Sequence, residues 1–369
     1  LMADVLVAMS GGVDSSVAAA RLLDEGHNVV GVTMKLWGGD SDTGCCSVSD
    51  VDDARRVAQQ LGIDHVVFNF TDDFDRHVVE PYVADHGRGR TPNPCVECNR
   101  HLKFDRLLER AGLLGFDAVA TGHHARVVAA GGRFRLERGA DRAKDQSYVL
   151  HMLGQDALRR VRFPVGDITK DDVRRQARAL GLRTALKPDS QDVCFITRAG
   201  GRADFLARRV ELHPGRVVDA AGNELGRVDA VELVTVGQRR GLGADGALDR
   251  RYAVAIDVPG ATVTVGEAKD LLVDRAAVES QTWVDGPVTG TVLVQCSAHG
   301  APRPGRLAGD GTIEWEQPER RIAPGQSVVF YDVADRVVLG GGKVSAPGSR
   351  GVGTPPTPVQ VDSGSQARP

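Results

Sequence analysis

The chain has 369 residues, a formal net charge of −3, and 41% apolar and 26% charged side chains. That composition excludes a wholly disordered chain, and no run of 18 apolar residues marks a membrane span. At roughly 100–200 residues per domain the length predicts two or three domains. The opening residues, Leu1 to Val5, lack the charged and apolar regions of a secretory leader. A cytoplasmic protein is therefore expected, with Cys45, Cys46, Cys95, Cys98, Cys194 and Cys296 as thiols, metal ligands or catalytic groups rather than structural disulfides.

In chain order, Val5-Leu6-Val7-Ala8-Met9 is a short apolar run that stops at Ser10-Gly11-Gly12, the mark of a buried parallel strand. A helical pattern through Val17, Ala20, Leu22 and Leu23 ends at Gly26. Strands are expected at 29–34, 65–70 and 117–121, and helices at 50–61 and 100–114. Strand–helix alternation of this kind predicts a parallel α/β sheet. After Gly200 the texture changes to short β-branched runs between turn signals, among them 217–219, 231–236, 292–294, 328–331 and 337–339. These predict a small second domain and then a β-barrel or sandwich. The expected division is 1–200, 201–270 and 271–345, followed by a disordered tail over 346–369, which is rich in Gly, Pro, Ser and Thr.

Charge is unevenly spread. Residues 1–85 carry 5 basic against 15 acidic side chains, and residues 86–251 carry 31 against 21. A basic middle section behind an acidic beginning suits a polyanionic partner, with solvated helix faces as the plain alternative.

Two motifs carry chemistry. Ser10-Gly11-Gly12-Val13-Asp14-Ser15-Ser16 lies between the first strand and the first helix. Its glycines let the backbone turn and aim amides inward, and the helix start adds a positive dipole end, so it is an anion cradle. It is no Walker A loop, because it has no lysine for the β/γ-phosphates. Thr91-Pro92-Asn93-Pro94-Cys95-Val96-Glu97-Cys98 leads into the helix expected from Arg100, where a thiolate is made more nucleophilic by the helix start. A structural zinc site would need a second cysteine pair, and Cys194 stands alone.

The loop string resembles that of the PP-loop ATP pyrophosphatases. Further strings narrow the resemblance to the tRNA-specific 2-thiouridylases. They are Ala8–Ser16, Met34–Trp37, Thr91–Asn99, Lys103–Phe104, Ala120–His123, Lys144–Tyr148, Lys187–Ile196 and Thr235–Leu242, in one order from Val5 to Lys343. The resemblance implies an adenine-nucleotide hydrolase-like domain, a small central domain and a β-barrel. It implies ATP bound by Ala8, Met9, Ser10, Gly11, Gly12, Val13, Asp14 and Ser15, with Met34 and Gly122 near base and ribose and Mg2+ on the phosphates. The implied reaction replaces the C2 oxygen of the wobble uridine of tRNAs for Lys, Glu and Gln by sulfur. Cys194 would carry the persulfide, loaded by a cysteine desulfurase or sulfur relay protein, and Cys98 would be the nucleophile that forms a transient disulfide with it. Asn93, Pro94 and Cys95 would line the target base, and His123, Lys144, Asp145, Gln146, His299, Gly300 and Gln326 would touch tRNA.

One residue departs from the pattern. Some members carry Asp where this chain has Cys95, assigned there to acid/base work that a thiol does not perform in the same pH range. Cys95, Cys98 and Cys194 together are also a candidate ligand set for a [4Fe–4S] cluster, as in related thiolation enzymes. Cys45, Cys46 and Cys296 read as structural or incidental thiols. Two other readings stay open. One is a PP-loop ligase acting on a small molecule, which needs neither Cys98 nor Cys194. The other is a tRNA- or metal-binding module whose loop holds AMP without turnover.

Overall fold

The computed structural model describes residues 2–37, 48–189, 193–196, 200–243, 251–346 and 359–361. Cys45, Cys46, the Ser190–Asp192 part of the third-cysteine motif and most of the tail lie outside these residues. Five parallel strands form the first sheet: β1 (Asp4–Ala8), β2 (Asn28–Lys35), β3 (His65–Asn69), β4 (Ala118–Thr121) and, after a hairpin of β5 (Ala125–Ala130) and β6 (Arg133–Arg138), the short β7 (Val161–Arg162). Their order is β3-β2-β1-β4-β7. β1 is central, so Val5, Leu6 and Val7 are buried on both faces, which explains the unbroken apolar run. The chain winds outward from β1 to β3 on one side and resumes at β4 on the other. This reversal opens a crevice at the carboxyl ends of β1 and β4, where such sheets bind ligands.

α1 (Val13–Asp24) and α2 (Val48–Leu61) cover one face with the helix Lys170–Ala179. The expected helix at 100–114 begins earlier, at Pro94. Asn93 caps it, its Oδ1 accepting from the amides of Cys95 (3.1 Å) and Val96 (3.4 Å), and Pro94 suits the first helical position. Helical backbone then continues through a π-helical stretch, Cys98–Arg106, and the α-helix Leu107–Leu113.

The central domain is a four-stranded sheet of β8 (Gly215–Val218), β9 (Glu224–Val228), β10 (Tyr252–Asp257) and β11 (Thr262–Gly266), ordered β10-β11-β8-β9. The strand expected at 231–236 is instead a 3₁₀ turn, Val231–Leu233. Val231 and Val234 plug the core of this sheet at turn spacing. Glu232 is buried between them, where its carboxylate accepts from the His213 amide (3.1 Å) and lies 2.8 Å from His213 Nδ1.

The third unit is a closed antiparallel barrel of β12 (Leu272–Trp283), β13 (Val288–Gln295), β14 (Arg303–Leu307), β15 (Thr312–Arg320), β16 (Ser327–Tyr331) and β17 (Val337–Val344). The ring runs β12-β15-β14-β13-β16-β17, and β12 closes it by pairing with β17 after a bulge. Within the tail, β18 (Val359–Val361) pairs in parallel with β13. The β5–β6 hairpin, from the segment expected to belong wholly to the first domain, extends the barrel sheet through Leu136 and Glu137 against β17.

The barrel is seated on the first domain through Arg138. Its guanidinium is 6% exposed and reaches Asp145 (2.7 Å) and Asp335 (2.6 Å), and it lies 3.6 Å from the centre of the Tyr331 ring. Ser147 Oγ meets Tyr331 Oη (3.0 Å), Tyr148 Oη donates to Ser327 O (2.7 Å), and the Thr91 amide donates to Pro324 O (2.7 Å). Removing the guanidinium leaves Asp145 to the Gly139 amide and Ser147 and leaves Asp335 to Arg142, each short of one charged hydrogen bond. Arg138→Met is therefore expected to lower stability by about 2–3 kcal/mol. Guanidinium unfolding followed through Trp283 and Trp315 fluorescence checks this; a loss below about 1 kcal/mol would show that Arg138 behaves as a surface ion pair.

Candidate active site

Ser10 to Ser16 occupies the crevice as the turn from β1 into α1. The Ser10 amide donates to Ser15 Oγ (3.2 Å), and the hydroxyls of Ser15 (3.1 Å) and Ser16 (2.8 Å) donate to Gly12 O. Gly11 sits at φ +70°, and a side chain there would strike the Asp50 carbonyl. Across the crevice, a Cβ on Gly122, just past β4, would stand 2.6 Å from the Ser15 amide. At both positions a side chain would meet backbone, so glycine lets the loop, the start of α2 and the end of β4 approach closely around the crevice. Ala8, Met9 and Val13 are buried beneath the loop and Ser10 is exposed at its rim. Met34 is buried near the end of β2.

Charges ring this loop. Lys170 Nζ lies 2.7 and 2.6 Å from the two Asp14 carboxylate oxygens and 2.9 Å from Asp189 Oδ1. His124 Nε2 lies 3.1 Å from Asp14 Oδ1. Burial opposes ionisation of Asp14, but the hydrogen bonds from His124 and Lys170 outweigh it and hold the carboxyl below its usual range. Asp189 also receives Lys144 (2.8 Å) and Arg174 (2.8 Å). Burial again opposes ionisation, and the two lysines override it, taking this carboxyl down to about 2. Lys187 bridges Asp50 (2.6 Å) and Asp53 (2.7 Å) beside Gly11.

A second feature is a cavity of about 240 Å³ between the first domain and the barrel. Pro92, Asn93, Pro94, Cys95 and Tyr148 form one wall, Cys296, Ser297, Ala298, Gln326 and Ser327 the other, and Val193 completes it. Cys95 is exposed, while Cys98 and Cys194 are half-buried against the same large apolar core; these three and Cys296 stand as thiols. The Cys194 segment is anchored by its neighbour Phe195, which packs among Trp37, Phe74, Tyr82 and Phe205 at centroid distances of 5.0 to 6.1 Å.

The sequence-derived candidates thus fall into three sets. The loop residues gather with Gly122 at the crevice, and Asn93, Pro94, Cys95 and Gln326 line the cavity. The others stand apart from that lining. His123 is buried against Phe104 and Phe163, with Nδ1 2.6 Å from Thr121 Oγ1, and burial drives its pKa well down, so it is a neutral imidazole. The Asp145 carboxylate is taken up by Arg138, the Gly139 amide and Ser147. Gln146 Oε1 accepts from the His124 amide (3.0 Å), whereas Lys144 is exposed at the crevice rim. His299 and Gly300 follow Ser297 and Ala298 on the barrel loop. Sequence reasoning missed Lys170, His124 and Arg174, and it read Cys296 as incidental, although that thiol lines the cavity. Among the described residues no three His, Cys, Asp or Glu side chains converge as a metal-ligand set, and no helix is long and apolar enough to cross a membrane.

A switch-point sheet with a Gly-Gly anion loop, joined to a β-barrel across a shared cavity, is the build of a PP-loop ATP-utilising enzyme. Residues 3–198 match the tRNA methyl transferase HUP domain, 203–267 the tRNA methyl transferase PRC-barrel domain and 274–344 the aminomethyltransferase beta-barrel domain. The tRNA-specific 2-thiouridylase MnmA of Chloroflexus aurantiacus (strain ATCC 29366 / DSM 635 / J-10-fl) is 48% identical over 94% of this chain and 99% of its own length. Those of Acidothermus cellulolyticus (strain ATCC 43068 / DSM 8971 / 11B) and Roseiflexus sp. (strain RS-1) are 45% and 44% identical, over 95% and 93% of this chain and 99% and 100% of their own lengths. The chain belongs to the tRNA-specific 2-thiouridylase MnmA family.

Two outcomes test this geometry. Gly122→Ala is expected to weaken ATP binding at least about tenfold, or about 1.4 kcal/mol, and, because its Cβ would meet the Asp14–Ser15 backbone, to lower the melting temperature as well; equilibrium dialysis and thermal melting read the two effects. Burial pushes the Cys296 thiol up to about 11. Its thiolate therefore forms only as pH climbs toward that value, so iodoacetamide at pH 8 is expected to modify Cys95 well before Cys296. Peptide mass spectrometry follows both sites, and equal rates at pH 8 would place Cys296 outside a buried wall.

Proposed function

We propose that the protein is a cytoplasmic ATP-dependent tRNA 2-thiouridylase that converts the wobble uridine of tRNAs for Lys, Glu and Gln to 2-thiouridine. The observation that carries this reading is the cavity shared by Asn93, Pro94 and Cys95 with the barrel residues Cys296, Ser297 and Gln326. It has room for a nucleobase, and the chain element that forms one wall runs on into Cys98. Family membership and the loop at Ser10–Ser16 support ATP as the co-substrate. The +10 balance of residues 86–251 supports a polyanion on this side of the molecule.

In this reading the uridine O2 attacks the α-phosphorus of ATP, the α–β phosphoanhydride breaks and pyrophosphate leaves. Loop amides and the start of α1 hold the phosphate oxygens. Asp14 is an ionised oxygen donor of the kind a hard cation takes, and would hold Mg2+, which neutralises phosphate charge when bound. Adenylation turns a poor leaving group at C2 into AMP. Cys194 enters as a persulfide loaded by a cysteine desulfurase or sulfur relay protein. The Cys98 thiolate attacks Cys194 Sγ, forming the disulfide and releasing hydrosulfide. That hydrosulfide adds to C2, AMP leaves with the oxygen, and a dithiol reductant restores both thiols. Lys144, at the crevice rim, and His299 and Gly300, on the barrel loop, are the proposed tRNA contacts nearest the surface, while His123, Asp145 and Gln146 act through the backbone and side chains they hold. The persulfide route is the reading kept over a [4Fe–4S] cluster on Cys95, Cys98 and Cys194, because a thiol at a helix start and a distant partner thiol suffice for it without a cofactor.

Cys98→Ser and Cys194→Ser are each expected to reduce 2-thiouridine formation to background while tRNA-dependent release of pyrophosphate persists, with AMP left on the adenylated uridine. Cys95→Asp is expected to keep thiolation within about tenfold, a barrier change below about 1.4 kcal/mol. Nucleoside mass spectrometry of the tRNA product measures all three. Wild-type thiolation by Cys98→Ser or Cys194→Ser would overturn the persulfide route.

A further inference from the structure

The anion loop has no lysine, yet an ammonium group stands directly over it, delivered from a helix 156 positions further along the chain. Lys170 is anchored at its base. Its amide donates to Asp141 Oδ2 (3.0 Å), and Thr169 and Asp172 close a capping box around the helix start. Its side chain is 10% exposed, and its head lies within 2.6 to 2.9 Å of Asp14 and Asp189. Burying an ammonium between two carboxylates carries a desolvation cost, and an apolar side chain would join the same elements without it. A lysine here therefore does something that packing alone does not require.

The surroundings indicate what. Lys144, Arg174 and Lys187 also converge on the rim, each already satisfied by Asp189, Asp50 or Asp53. Of these cations, Lys170 is the one paired with the loop's own Asp14. The lysine stem is flexible and its head is a compact charge with three donors, so it can turn about a fixed Cα. A triphosphate in the crevice offers denser negative charge than either carboxylate.

We propose that Lys170 supplies the phosphate-binding ammonium that the loop sequence lacks, exchanging its contacts with Asp14 and Asp189 for the β- and γ-phosphates of ATP. This rests on the loop being the ATP site. Asp189, five positions before Cys194, is the second partner given up in the exchange.

The test compares nucleotides that differ in phosphate number. Wild type, Lys170→Met and Lys170→Arg are titrated with ATP and AMP by calorimetry, without tRNA. Lys170→Met is expected to bind ATP about 10- to 100-fold more weakly, the range of a lost charged hydrogen bond, and AMP less than about threefold more weakly, with Lys170→Arg recovering most of the ATP affinity. AMP binding also reports that the variant is folded. Equal losses for ATP and AMP would show that Lys170 only shapes the loop, and no loss for ATP would show that it does not meet the phosphates; either overturns the proposal while leaving the ATP site standing. Wild type that binds neither nucleotide would overturn the ATP reading itself. Asp189→Asn gives a test that does not depend on the Lys170→Met fold. Removing a competing carboxylate is expected to tighten ATP binding a few-fold, whereas weaker binding would mean that Asp189 and Lys170 act together as a structural clamp.

Discussion

One buried guanidinium sets the geometry on which the rest of the molecule depends. Arg138 ends the hairpin that the first domain lends to the barrel, and it is held by carboxylates from both sides, Asp145 and Asp335, and by the Tyr331 ring. With little water near it, such a group tolerates only a narrow range of positions, because any displacement leaves a charge unpaired. Asp145 begins a segment whose following residues, Ser147 and Tyr148, reach Tyr331 and Ser327 of the barrel. Tyr148 and Ser327 also line the cavity. The constraint that seats the barrel is thus continuous with the constraint that shapes the cavity.

The crevice and the cavity are built on different physical principles. The crevice is polar and crowded with fixed charge: backbone amides at the loop, Asp14 and Asp189 held ionised, and cations closing over them. The cavity is walled by prolines, thiols, tyrosine and small polar side chains, with no charged group in its lining among the described residues. The residues that carry the fixed charge and those that line the cavity are different sets. Phe195, packed among four aromatic rings, fixes the chain just beyond the Cys194 thiol.

What could be read from the sequence was what local chemistry writes. β1 and its loop were legible because a buried central strand must be apolar throughout and because a Gly-Gly pair between an apolar run and a helical pattern marks the turn from strand to helix. The barrel was legible from β-branched runs, although its closure through two halves of β12 was not, since a bulge leaves no compositional mark. The 231–236 run misled because Val231 and Val234 plug a core at turn spacing, and a short apolar run looks the same in a strand. The helix bearing Cys95 and Cys98 was placed too late because its first turn is made of poor helix formers fixed by the Asn93 cap. Lys170 was invisible for a different reason: its capping box announces a helix start, but nothing local points its head at a loop 156 positions away. Cys296 was likewise unremarkable until the barrel turned it toward Cys95's side of the cavity.

The cavity's divided ownership has a consequence for how such a protein can change. Its barrel wall, Cys296 to Ala298 with Gln326 and Ser327, shares no residue with the loop at Ser10–Ser16 or with the charges above it. Its other wall comes from a helix that the first domain must keep for its thiols. Variation on the barrel side can therefore reshape the cavity without touching the loop's ionic ring, and variation in that ring leaves the cavity's lining unchanged. The two sets of residues can vary separately, within the limits set where Arg138, Ser147, Tyr148 and Thr91 join the first domain to the barrel.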